Sequence, residues 1–243
     1  MNRRTFLLLA TAGTFGAVVY DIKTGEPLIL SNNHVLANSS NGRDGRAKAG
    51  DAVLQPGRYD GGTDEDAIAK LLRFTPIELE VSQPDCKIAG AAQKLLNRAI
   101  RRIRRNYEVR IQRFGTETNL VDAAVARPLS RDHITADIID LGIPKGTTEV
   151  DVGHKVLKSG RTSGTNSGEV KVVNATIKIS MGEIGTAVFA DQVLTTRMAQ
   201  PGDSGSVVLD ENGNVCGLLS AGSDTISVFA RIQNVCDALG VRF

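Results

Sequence analysis

Gln200-Pro201-Gly202-Asp203-Ser204-Gly205-Ser206 is the run on which the reading of this chain turns. Glycines bracket an Asp-Ser pair, so the backbone can turn tightly through φ values closed to most residues. The N–H groups of Gly202 and Ser204 can then converge on one point, a nest that stabilises a negatively charged oxygen beside the Ser204 hydroxyl. Gly-Asp-Ser-Gly also occurs in ordinary loops. The run alone leaves both readings open, and its surroundings decide between them.

Downstream, Ser206 to Leu209 and Val215 to Ser220 flank Asn212-Gly213, a strong hairpin-turn dipeptide. Upstream, Gly168 to Ser180 alternates, with Val170 and Val172 in one phase and Ala175, Ile177 and Ile179 in the other. The change of phase near Val173-Asn174 predicts a β-bulge. Thr14 to Tyr20 and Pro27 to Leu30 are apolar runs separated by turn residues, a hairpin that delivers His34 at its far end. Residues 38 to 66 alternate loop with short extended pieces such as Ala52-Val53-Leu54. Helical spacing occurs at Ala92, Leu95, Leu96, Ala99 and Ile103, and again at Ile232, Val235, Cys236 and Leu239 before a capping Gly240. Many short strands with one inserted and one terminal helix indicate an all-β barrel or sandwich.

Composition agrees with a compact fold. The 243 residues are 41% apolar and 23% charged with 25 glycines, which excludes disorder. Aromatics are 4% and Trp is absent, so the core must come from Val, Ile, Leu and Ala. A net charge of +2 is too small to mark the whole chain as a binder of nucleic acid or of an anionic membrane. The charge is unevenly placed, however. Ala91 to Phe114 holds eight Lys and Arg against Glu108 alone, a local +7 that leaves −5 elsewhere. The helical stretch 91–105 reads as packed on a barrel with its basic face solvated, or as a contact surface for a regulatory protein, an anionic substrate or nucleic acid. Basic residues without interleaved aromatics argue against sequence-specific RNA reading.

Cys86, Cys216 and Cys236 are too few and too scattered for a disulfide framework or zinc site and read as free thiols, which suits the cytoplasm. Asn2-Arg3-Arg4-Thr5-Phe6-Leu7, followed by apolar residues to Ala12, looks like a twin-arginine export signal; the other reading makes it the start of the first strand. No stretch approaches the roughly 20 apolar residues of a membrane span.

Together with Ser31-Asn32-Asn33-His34-Val35-Leu36 and Val121-Asp122-Ala123-Ala124-Val125-Ala126, the Gln200–Ser206 run resembles the chymotrypsin/trypsin-like serine peptidases, most of all the bacterial, disulfide-poor type. Lys158 to Gly164 and Gly217 to Gly222 look like further landmarks of that family. The resemblance implies two antiparallel six-stranded β-barrels, one over residues 1–128 with a helical insertion at about 86–106, a connection over 129–149, and a second barrel with the terminal helix over 150–243. It also implies a catalytic serine, Ser204, a general base, His34, and an orienting carboxylate, Asp122, with the N–H groups of Gly202 and Ser204 as oxyanion hole. The chemistry requires these types. A serine hydroxyl is a weak nucleophile until an imidazole takes its proton, and a carboxylate on the other ring nitrogen fixes the tautomer.

By the same resemblance Met198, six residues before the serine, floors the primary pocket, and Ser220, Ala221 and Gly222 pair with substrate backbone. An uncharged floor disfavours cleavage after Lys or Arg, while Thr196 and Arg197 suit small or acidic side chains. No metal or organic cofactor is implied, and the partner is a protein or peptide substrate. A rival reading keeps the fold but makes the chain a silent or partner-regulated binding module. The family's Ile-Val-Gly-Gly activation sequence is missing, so Asp203 should find its partner inside the barrel. His133 and His154 read as surface or structural histidines, and the acidic loop at Asp60, Asp64 and Asp66 lacks calcium-loop spacing.

Overall fold

The computed structural model describes residues 13–82, 86–115 and 118–243. The arginine pair and apolar run of the N-terminus lie outside the described residues. The expected first hairpin is present as β1 (Ala17–Asp21) and β2 (Pro27–Ser31), paired from Ala17↔Leu30 to Tyr20↔Pro27. One helical turn, α1 (Asn33–Leu36), follows, and then β3 (Ala52–Leu54) and β4 (Ala67–Phe74). A two-stranded ladder of β5 (Val81–Ser82) and β6 (Arg113–Phe114) brackets the inserted helix α2 (Lys87–Ile103). After β7 (Ala124–Pro128), a long connection leads to β8 (Lys155–Gly160), β9 (Gly164–Ser180) and β10 (Thr186–Thr196). The chain ends with β11 (Val207–Asp210), β12 (Val215–Gly222), β13 (Ile226–Arg231), α3 (Ile232–Leu239) and β14 (Val241–Arg242).

These strands form two antiparallel six-stranded units, ordered β14-β1-β2-β7-β4-β3 and, as a closed barrel, β10-β13-β12-β11-β8-β9. The sixth strand of the first unit comes from the chain's last residues. α3 explains why. Its Ile232, Val235, Cys236 and Leu239 are buried in the apolar cluster shared by both units, with Val19, Leu28, Leu30 and Val125 on one side and Val207, Leu209 and Leu218 on the other. Arg73 fastens the end of α3, donating through Nε to Leu239 O at 2.6 Å and through Nη2 to Asp21 at 2.7 Å. A cation suits the carbonyl end of a helix dipole. The two units therefore share one continuous core.

The bulge expected near Val173-Asn174 is present: Asn174 has φ 56°, and the β9–β10 register shifts between Phe189 and Gln192. Beyond the bulge this long hairpin leaves the barrel and leans on the first unit, where Ile77 and Leu79 pack against Ala187 and Phe189.

α2 corrects one expectation. Its periodicity holds, but the apolar stripe does not pack on a barrel. No residue of α2 is buried, and Ile88, Leu95, Leu96 and Ile103 are 80%, 68%, 46% and 83% exposed. The polar edge faces the protein instead. Asn97 exchanges two hydrogen bonds with the backbone of Val109, and the Gln93 amide oxygen accepts from the N–H of Ile111.

Candidate active site

The inner edge of the first unit builds the left half of the site. β2 ends in buried Ser31 and is followed by buried Asn32 and Asn33, polar side chains that a core tolerates where hydrogen bonds meet them. Asn33 Nδ2 donates to Ser40 O at 2.9 Å and Thr75 O at 2.6 Å, and its Oδ1 accepts from the N–H of Ser40. Asn32 Nδ2 donates to Asp122 O at 2.7 Å. These bonds lock the α1 turn that carries His34.

Asp122, 3% exposed, grips that turn twice. Its Oδ1 accepts the backbone N–H of His34 at 3.0 Å, and its Oδ2 lies 2.5 Å from His34 Nδ1. Burial pushes the His34 pKa down, but the charge of Asp122 and its hydrogen bond outweigh burial and hold it above the ordinary imidazole value. An imidazolium is therefore favoured by its surroundings.

The second barrel supplies the turn after β10. Gly202 has φ 101° and Gly205 φ 94°, and both are crowded. A Cβ on Gly202 would sit 2.2 Å from Thr162 Oγ1, and one on Gly205 would sit 2.1 Å from Ser31 Oγ. Only glycine meets both demands. The turn is tied to β12 by Gly205 N–H to Leu219 O at 2.9 Å and to the first unit by Thr14 N–H to Ser204 O at 2.7 Å. Ser204 Oγ donates to Ser220 O at 3.4 Å. Among the described residues, the N–H groups of Asp203, Gly205 and Ser206 donate within the fold, whereas those of Gly202 and Ser204 find no acceptor in it. Two unclaimed donors flank the residue before the serine.

Asp203 itself is fully buried beside fully buried Lys158, Oδ2 to Nζ 2.8 Å. Thr162, Ser163 and Gln200 donate backbone N–H groups to the carboxylate, and Ser163 Oγ donates as well. Burial opposes ionisation here, but these hydrogen bonds, that from Lys158 foremost, prevail and hold Asp203 at a pKa of about 2. Lys158 is spent too, on Ser163 Oγ and Gly164 O. This is the internal partner that Asp203 was expected to find. Sequence reasoning did not single out Lys158, although Val156, Lys158 and Gly160 share the inward phase of β8.

His34, Asp122, Ser204 and the edge Ser220–Gly222 line one cleft between the two units. Met198 is placed differently from the expected pocket floor. It is 4% exposed and packs with Val150, Val156 and Phe229 inside the barrel, so Arg197 and Ala199 present the cleft wall at that level. His133 and His154 are exposed.

The family model described as Trypsin matches residues 87–239, a span that holds Asp122 and Ser204 and begins after His34. Among solved structures, Thermobifida fusca Protease A aligns at TM-score 0.57 with 17% identity over 95% of this chain and 90% of its own. A Nocardiopsis protease aligns at 0.54 with 17% identity, covering 94% and 90%. A serine protease described as glutamic acid specific aligns at 0.54 with 16% identity, covering 93% and 97%. At these identities the likeness is one of fold. Among curated proteins no sequence matches.

Proposed function

We propose, for a chain that belongs to the trypsin family of serine proteases, that it cleaves peptide bonds through an acyl-enzyme on Ser204. The observation that carries this reading is the double grip of Asp122 on His34, on the same cleft as Ser204. Ser204 Oγ attacks the scissile carbonyl carbon while His34 takes the hydroxyl proton through its Nε2. The carbonyl oxygen becomes an oxyanion and accepts from the N–H groups of Gly202 and Ser204, each such donor being worth about 3 kcal/mol in the transition state. Collapse expels the amine, which leaves with the proton from His34. Water, deprotonated by the same imidazole, then hydrolyses the ester. Asp122 keeps the proton of the resting imidazole on Nδ1 and stabilises the imidazolium between steps.

An activated ester offers the direct test. Rapid mixing should release a burst of leaving group, one per active site, before the slower steady state set by deacylation. A linear trace that extrapolates to zero would contradict the acyl-enzyme.

Substrate backbone adds to the edge Ser220-Ala221-Gly222. With Met198 turned into the core, Arg197 gives the pocket wall a cation, so Lys and Arg before the scissile bond are disfavoured and small or acidic residues preferred. In a peptide library, Arg197→Gln should lower the preference for acidic residues by roughly fivefold, the value of one solvent-accessible charge pair at its upper limit. Strict cleavage after Lys or Arg by the unaltered chain would refute this pocket.

A further inference from the structure

α2 presents three faces. At about 100° per residue, Ile88, Ala92, Leu95, Leu96, Ala99 and Ile103 fall in one sector, Lys87, Lys94, Arg98, Arg101 and Arg102 in another, and Gln93 and Asn97 in a third. The third is the edge hydrogen-bonded to Val109 and Ile111. The other two are open to solvent. Between Cys86 and Tyr107 stand seven cations and no acid, and among the described residues none of the seven is in an ion pair.

We propose that α2 is a membrane-surface anchor that lies flat in the interface of an anionic bilayer, Ile88, Leu95, Leu96 and Ile103 entering the acyl boundary and the flanking cations meeting lipid phosphates. Strong amphipathicity, low mean hydropathy and an all-cationic polar face define such helices. The alternatives each leave part of the surface unexplained. Nucleic acid would take the cations and leave the apolar stripe in water. A partner that wraps the helix would need the Gln93–Asn97 edge, which the protein's own backbone occupies. A second copy would set seven cations against seven more. A negatively charged plane accepts both open faces at once. At 17 residues, about 25 Å, the helix lies along the surface, and no helix among the described residues is long and apolar enough to cross a membrane. Gln93 and the return segment Glu108 to Gln112 line the far end of the cleft, so docking brings the cleft to the bilayer.

The test uses the full chain with vesicles of phosphatidylcholine alone and of phosphatidylcholine with roughly one third phosphatidylserine, the lipid that makes a leaflet negative. The chain should sediment with the anionic vesicles only, and salt should release it. Leu95→Asn with Ile103→Asn keeps every charge and should weaken binding on the order of 100-fold, as should Arg98→Gln, Arg101→Gln and Arg102→Gln together. All five positions are exposed, so thermal unfolding should be unchanged. Because the chain has no Trp, L95W gives a single reporter whose emission should shift to the blue on anionic vesicles. The proposal is overturned if the chain ignores both vesicles, if it binds both equally, or if the L95W emission does not move. It is overturned equally if L95N/I103N binds like the parent chain, which would assign the affinity to another segment, or if that variant abolishes a dimer or a nucleic-acid complex while vesicle binding is absent.

Discussion

Replacing Asp122 by Asn should leave the chain folded and lower turnover on the order of 10⁴-fold. The substitution is isosteric, and the amide oxygen can still accept the backbone N–H of His34 that Oδ1 accepts now. The loss arises at the other atom. An amide nitrogen in place of Oδ2 offers a proton to Nδ1, so the imidazole must keep its own proton on Nε2, the nitrogen that has to receive one from Ser204. The pH profile should change in the same experiment. In the parent chain Asp122 holds the His34 pKa above 6.5, so turnover rises with pH only as the imidazolium deprotonates above that value. Without the carboxylate, burial is left as the dominant influence and lowers the pKa. The acid limb of the residual activity should therefore move to lower pH, read as kcat/KM on an activated ester. A loss below tenfold with an unmoved limb would show that Asp122 does not orient the base.

Lys158→Met should destabilise the chain by about 3 kcal/mol, the lower end of the cost of breaking a buried ion pair. The lower end applies because Asp203 keeps four other donors, the N–H groups of Thr162, Ser163 and Gln200 and the Ser163 hydroxyl. Urea unfolding measures the loss, and K158M combined with D203N should recover part of it by removing the stranded charge. Activity should fall in the folded fraction too, since Asp203 lies between the two residues whose N–H groups are free. Acid should have a matching effect on the parent chain. Asp203 is held at about 2, below an unfolded value near 3.8, so its contribution is fully present above that value and disappears as pH falls toward 2. A cost under about 1 kcal/mol, with the oxyanion site still competent, would mean that Lys158 merely fills space.

Local chemistry was the legible part of this fold. The glycines at 202 and 205, the Asn212-Gly213 hairpin and the bulge at Asn174 each state their geometry within a few residues, and the structure has all of them. So do β2, which leads into the turn carrying His34, and β7, which follows Asp122. What depends on distant partners was not legible. The spacing of α2 gives a stripe but not the direction it faces, because the Val109–Ile111 backbone, not the stripe, decides which edge meets the protein. β14 is two residues long and owes its place in the first unit to the packing of α3. Met198 was placed by counting back from Ser204, whereas its side chain joins the apolar cluster inside the barrel. Lys158 had a signal that went unused, a lysine on the inward phase of a strand, which can be buried only beside a carboxylate.

The central claim is that Ser204 is an activated nucleophile. It is tested most directly by the intact mass of the chain after incubation with a fluorophosphonate, run beside Ser204→Ala. The parent chain should gain the mass of one probe, located on Ser204 by peptide mapping, and the variant none. Equal labelling of the variant, or a parent chain that stays unlabelled where a known serine protease reacts, would contradict it.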